Sequence, residues 1–206
     1  GENKDIKIVE KAEVNLTFEN TLKYNNIRLP LWILYAHDKD CKLTKKDTDK
    51  FCCFVYSNNV GFRDNFCKKL SNYKIVDCGG GSLNNIGYKV KNKIEFQTKY
   101  KFCIAYENSL HPGYTTEKIL EAYNSNCIPI YKGSNTIYND FNPDTFINAH
   151  DFNNDEELID YIKMVDTNEE LYNSFMNKPI YSNKWLEILN DPDEKYFRNI
   201  VKKVME

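Results

Sequence analysis

Short apolar runs alternate with amphipathic stretches between residues 50 and 180, and this alternation predicts an α/β fold, a Rossmann-like parallel sheet flanked by helices. The apolar runs are residues 51–56, 74–78, 102–106 and 128–131. Stretches with apolar residues at helical spacing lie between them. Polar or glycine-containing loops stand where several of the runs end, which is where such sheets bind ligands.

Taken in order, residues 1–48 read as a remnant of another domain plus a linker. Within them 14–18 and 29–35 are expected strands, the second nearly all apolar, and the charged stretch 37–50 is the connection. Residues 51–56 open the sheet, and Ser57-Asn58-Asn59-Val60-Gly61 is the loop after it. A helix over 62–70 places Phe62, Phe66 and Leu70 on one stripe and Arg63 in its first turn. Residues 74–78 form the next strand. The Gly79-Gly80-Gly81 loop after it admits two readings, backbone with φ > 0 or close approach to a ligand. A short helix over 91–99 leads into the strand 102–106.

Glu107-Asn108-Ser109 breaks that strand, and His111-Pro112-Gly113 is a turn signal. Thr115 or Thr116 caps a helix carrying Ile119, Leu120 and Tyr123, which Asn126 ends before the strand 128–131. Beyond Ser134 the chain reads as irregular up to Asp151. Asn154 with Glu157 marks a helix start, and Thr167 to Glu170 repeats that capping pattern before Leu171 and Phe175. A last helix is expected to begin at Asp191-Pro192, with the proline at its first position and Phe197, Ile200, Val201 and Val204 as its stripe. The chain thus divides into 1–48, a Rossmann-like domain over 49–180, and a C-terminal helical extension over 181–206.

The 206 residues suffice for one good core. A formal net charge of −2 gives no global field that attracts nucleic acid. No apolar run approaches the ~18 residues of a membrane span, and no signal peptide is visible. The seven cysteines are odd in number and lie mostly in apolar contexts, which fits buried thiols better than a disulfide framework. With no Cys/His spacing suited to zinc, and His37, His111 and His150 far apart, no metal site is expected. Neither G-x-G-x-x-G nor a P-loop is present.

Two cations stand out. Arg63 and Lys118 fall in the first turns of helices that follow parallel strands, where a lysine opposes the helix dipole unless an anion joins it. Lysine, exposed amides and the dipole together make a phosphate site. The competing reading is a solvated Glu117-Lys118 pair and an Arg63 paired with Asp64. Glu107, Asn108 and Glu117 are placed to bond hydroxyl groups. Glu107 can equally tie its loop to a backbone amide, because a buried carboxylate needs partners in any case.

The string ENS…GYTTEK…IPIYKGS resembles the donor-binding signature of the α1,3-fucosyltransferases, a family that uses GDP-fucose and whose pattern runs FENS…DYVTEK, a helix, then PVYxG. The similarity extends over about residues 50–180, including CFVYSNN, GGGSLNNIGYKVKNKIEFQTKYKF and DFNPDTFINAHDFNN, and is closest to the bacterial branch. His111-Pro112-Gly113 departs from the acidic residue that many members carry before the tyrosine. The resemblance implies a GT-B type donor domain whose partner domain, preceding Gly1, is largely missing. It implies pyrophosphate contacts for Arg63 and Lys118 and donor contacts for Asn108, Tyr114 and Glu117. It matches Glu2, in Gly1-Glu2-Asn3, to the family's catalytic base. Inverting transfer of fucose to a hydroxyl of N-acetylglucosamine or glucose in a glycan is the implied activity. No metal is required, a divalent cation being at most stimulatory, and the implied location is the cytoplasm or the cytoplasmic membrane face. A transferase for another nucleotide sugar, and a nucleotide-sugar-binding domain without transferase activity of its own, are the alternatives.

Overall fold

The computed structural model describes residues 15–19, 25–36 and 38–205. Its centre is a five-stranded parallel sheet in the order β4-β3-β5-β6-β7, formed by β3 (Cys52–Phe54), β4 (Val76–Cys78), β5 (Phe102–Tyr106), β6 (Ile128–Lys132) and β7 (Ile147–Asn148). β5 is buried at every residue, as a strand covered on both faces must be. Helix α1 (Gly61–Ser71) joins β3 to β4, α2 (Lys93–Gln97) joins β4 to β5, and α3 (Glu117–Asn124) joins β5 to β6. From β3 the chain steps outward one way and from β5 the other, so the winding reverses between these two adjacent strands. Right-handed crossovers then put α1 and α3 on opposite faces. The packing agrees, since α1 contacts α4 (Asp155–Thr167) whereas α3 contacts α2.

Helix ends follow local chemistry. The Asn154 side chain accepts from the Glu157 amide while Glu157 accepts from the Asn153 amide, a box displaced by one residue from the expected form. In α5 (Glu169–Asn173) the cap is Asn168, which accepts from Leu171 N–H, rather than Thr167. Asn126 ends α3 in the left-handed region, at φ 54°.

Four expectations change. The stretch beyond Ser134 up to Asp151 is not irregular throughout, since it contributes the edge strand β7 and short 3-10 turns. Residues 29–35 are not a strand. Pro30 precedes a 3-10 turn, Leu31–Tyr35, that drives Trp32 into a cluster with Phe141, Tyr181 and Trp185 at centroid distances of 5.1, 5.4 and 4.9 Å. The strand expected over 14–18 is present as β1 (Asn15–Thr17), and it pairs in parallel with β2 (Asn26–Arg28). A helix absent from the sequence reading, α6 (Asn183–Asn190), supplies Trp185. The last helix, α7 (Lys195–Met205), starts later than Pro192: Asp191 accepts from the amides of Asp193 and Lys195, making a turn ahead of it.

The N-terminal strand pair and the C-terminal helices meet at Asp140. Its buried carboxylate takes both guanidinium nitrogens of Arg28 at 2.6 Å and the Trp185 indole N–H at 2.8 Å. The Tyr196 hydroxyl of α7 donates to the Arg28 carbonyl.

A second buried carboxylate, Asp166, accepts from the Tyr73 hydroxyl (3.0 Å), Lys101 (3.2 Å) and Lys74. Burial pushes its pKa up, but the Lys74 and Lys101 donors outweigh this and hold it below the ordinary 3.8. A carboxylate with a depressed folded pKa contributes stability that is complete above 3.8 and is lost as the pH falls through the folded value. Because both lysines are partly exposed, Asp166→Asn is expected to cost about 1–2 kcal/mol at neutral pH. The cost should shrink below pH 4, as urea titrations at several pH values will measure.

Candidate donor-binding cleft

A cleft of about 410 Å³ opens at the carboxyl ends of β3 and β5, where the winding reverses. Arg63, Asn108, Glu117 and Lys118 all line it. Such a crevice is the general ligand site of open α/β sheets.

Arg63 is 2% exposed. Its guanidinium lies over the rings of Tyr56 (4.7 Å) and Phe54 (5.3 Å) and donates through Nη1 to Asn108 Oδ1. Burial lowers its pKa, against the opposing pull of Tyr56 and Glu107. Arg63 is therefore not a solvated residue paired with Asp64. The Asp64 carboxylate accepts from the Tyr56 hydroxyl (2.7 Å) and Ser82 (3.3 Å) instead.

Lys118 reaches back over the start of α3. Its ammonium donates to Glu107 Oε2 (3.0 Å) and Thr116 Oγ1 (2.8 Å), and lies 3.4 Å from Glu117 Oε1. Burial pulls its pKa down, but Glu107 and Glu117 more than offset this, so it sits above the usual lysine value and the side chain is charged. Burial pushes the Glu117 carboxyl up, but the Lys118 charge and backbone and side-chain hydrogen bonds prevail and hold it below the usual range. Arg63 is near enough for its charge to lower the proton affinity of Lys118. The two cations thus belong to one electrostatic site.

Glu107 is fully buried at the end of β5. It accepts from Thr116 N–H (2.7 Å), from the Thr116 hydroxyl (2.8 Å) and from Lys118. Of the two readings left open by the sequence, the tie to a backbone amide is the one observed. At the start of α3 the protein's own carboxylate therefore already bonds the amide of the N-cap residue, Thr116. Burial raises the Glu107 pKa, and Lys118 and Thr116 pull it back.

Tyr114 is buried outside the cleft lining, its ring edge-on to Phe18 at 5.5 Å. Its neighbour Gly113, at φ 79°, lies so close to the N-terminal segment that a Cβ would sit 2.4 Å from the Phe18 carbonyl oxygen. Glu2 and His37 lie outside the described residues. Tyr56, Ser57, Asn58 and Lys93 also line the cleft and were not singled out in the sequence. The signal for the first three was position alone, at the end of the first sheet strand. The reading of positive φ does not hold for the Gly79-Gly80-Gly81 loop, and all three glycines lie against the chain itself. A Cβ on Gly80 would meet the Tyr56 carbonyl oxygen at 1.8 Å. All seven cysteines are free thiols. Among the described residues no three His, Cys, Asp or Glu side chains gather as metal ligands, and no helix is long and apolar enough to cross a membrane.

A parallel α/β sheet with two cations converging at its point of reversal is the class of domain that receives a phosphorylated ligand. A family model described as glycosyltransferase family 10 (fucosyltransferase), C-terminal part, matches residues 44–188, and the chain belongs to that family. It is 44% identical over 141 residues to the alpha-(1,3)-fucosyltransferase FucT of Helicobacter pylori, covering 66% of this chain and 30% of that protein. It is 30% identical over 179 residues to the 4-galactosyl-N-acetylglucosaminide 3-alpha-L-fucosyltransferase 9 of Mus musculus, covering 82% and 48%. The chain therefore spans less than half the length of these relatives. A crystal structure of α1,3-fucosyltransferase with GDP-fucose superposes with a TM-score of 0.77 at 31% identity, over 97% of this chain and 72% of the other. One with GDP gives 0.75 at 29%, over 95% and 73%.

Proposed function

We propose that this chain binds GDP-fucose in the cleft between β3 and β5. In the whole protein, L-fucose then passes with inversion to a hydroxyl of N-acetylglucosamine or glucose in a glycan, in α1,3 linkage. The observation that carries this reading is the convergence of Arg63 and Lys118 on one cleft in a family 10 chain. The diphosphate leaving group gains negative charge as the glycosidic bond breaks, and two fixed cations stabilise it there without reorganising. Arg63 offers a fork and Lys118 a point charge.

Asn108 and Glu117 face the same space, where they bond donor hydroxyls, and the Glu117 carboxylate favours the positive charge that develops on the sugar. Tyr114 supports the donor from behind the loop, and Glu2 serves as the base that takes the acceptor proton. No metal is needed for charge neutralisation, and transfer takes place in the cytoplasm or at the cytoplasmic membrane face.

Calorimetric titration with GDP tests the reading. Arg63→Ala and Lys118→Ala are each expected to weaken binding by about 1.5–3 kcal/mol, roughly 10- to 150-fold. Unchanged affinity in both would remove the phosphate assignment. A thermal-shift panel of GDP, UDP, ADP and CMP separates the fucosyl donor from its rivals, since stabilisation by UDP in preference to GDP points to another sugar nucleotide.

A further inference from the structure

We propose that Glu107 is a positioning residue, a buried anion that bonds the N-cap residue of α3, Thr116, and holds Lys118 at the cleft, so that the donor's diphosphate meets an ammonium already in place. This deepens the donor-binding reading and rests on it.

A helix start is the natural seat of an anion, through its unpaired amides and its dipole. At α3 a carboxylate of the protein itself sits at the N-cap residue. The Glu107 carboxylate bonds both the amide and the hydroxyl of Thr116. The same hydroxyl accepts from Lys118, which also bonds Glu107 directly. Three contacts thus join one carboxylate, one hydroxyl and one ammonium. The carboxylate is fully buried and outside the cleft lining, whereas Lys118 lines it. The fold makes room for the arrangement: a Cβ on Gly133 would lie 2.5 Å from Glu107 Cγ and from the Tyr131 hydroxyl. That hydroxyl meets Thr115 at 3.1 Å and the Ser134 amide at 3.0 Å, fixing the loop from its other side. A freely rotating lysine loses several rotamers on gripping a ligand, and one already held loses fewer.

The charged groups facing Lys118 are Glu107 from the end of β5, Glu117 from its own helix and Arg63 from α1. Tyr131 of β6 faces Glu107. Removing the Glu107 charge takes away the largest of the charges that favour the Lys118 ammonium, so that group should release its proton at lower pH. Two measurements on the full chain read this out.

In the first, NMR titration of the Lys118 side chain without ligand should give a midpoint at lower pH in Glu107→Gln than in the unsubstituted chain. In the second, GDP affinity should fall roughly tenfold in Glu107→Gln, but by less than about twofold when the same change is made on Lys118→Ala. Thr116→Val, which keeps the carboxylate and removes the bridging hydroxyl, should move both readouts the same way by less, and it serves if Glu107→Gln does not fold. An unmoved Lys118 midpoint in the folded variant overturns the inference, as does an equal loss of affinity in the Lys118→Ala background. Absence of GDP binding by the unsubstituted chain overturns the donor reading instead, and the ligand-free titration still decides the role of Glu107.

Discussion

Asp140→Ala should lower the stability of this chain by about 3–5 kcal/mol, the cost of breaking a buried ion pair from one side. Both carboxylate oxygens are engaged, each with one Arg28 nitrogen, and one of them also takes the Trp185 indole N–H. Truncation leaves both terminal guanidinium nitrogens of Arg28, whose side chain is 11% exposed, and the indole without this acceptor, while Arg28 Nε keeps its bond to the Phe18 carbonyl at 3.1 Å. Because Arg28 belongs to β2 and Trp185 to α6, the loss loosens the N-terminal segment and the C-terminal helices together. The Trp32 cluster, which draws on both, should loosen with them. In urea denaturation the midpoint should move well down, and the melting temperature should fall by about 10 °C or more. Asp140→Asn keeps an acceptor for the indole and should lose less. Equal stabilities for all three proteins would show that the Arg28 pair contributes nothing.

Gly80→Ala is expected to be nearly as severe, at about 3 kcal/mol or more, because the added methyl has no escape. Its Cβ would stand 1.8 Å from the Tyr56 carbonyl oxygen and 2.5 Å from the Tyr56 nitrogen, all backbone atoms. That carbonyl accepts from the amides of Gly81 and Ser82, so the β3 and β4 loops are laced together here. Tyr56 in turn lies beneath the Arg63 guanidinium and bonds Asp64. A shift at Gly80 therefore reaches the cleft, and calorimetry should find weaker GDP binding in whatever fraction of Gly80→Ala still folds. At Gly61, where a Cβ meets nothing within 4 Å, the corresponding alanine serves as a steric control and should fold normally.

The sheet strands β3 to β6 were legible because each is a short apolar run closed by polar residues, whereas β7, only Ile147 and Asn148, is too short to carry a pattern. Arg63 and Lys118 were legible by position, one turn into helices at strand ends. Residues 29–35 misled because a continuous apolar run carries no period. Only the aromatic partners of Trp32, more than a hundred residues away, favour the 3-10 turn, which leaves Leu34 and Tyr35 exposed. Helix α6 does carry an apolar stripe, Trp185, Leu186, Ile188 and Leu189 all packing on the core, but it is a short helix without a side-chain N-cap to mark its start. The role of Glu107 was half legible. A carboxylate closing a fully apolar strand must find donors, but nothing in the residue order says that they are the amide and hydroxyl of Thr116.

The helices bearing Arg63 and Lys118 follow strands that are hydrogen-bonded neighbours, whose separation is set by peptide geometry at about 4.8 Å. The gap between the two charges is thereby gauged by the backbone itself and insulated from insertions or deletions in distant loops. Surfaces elsewhere on the molecule can be remodelled freely while the gauge stays fixed.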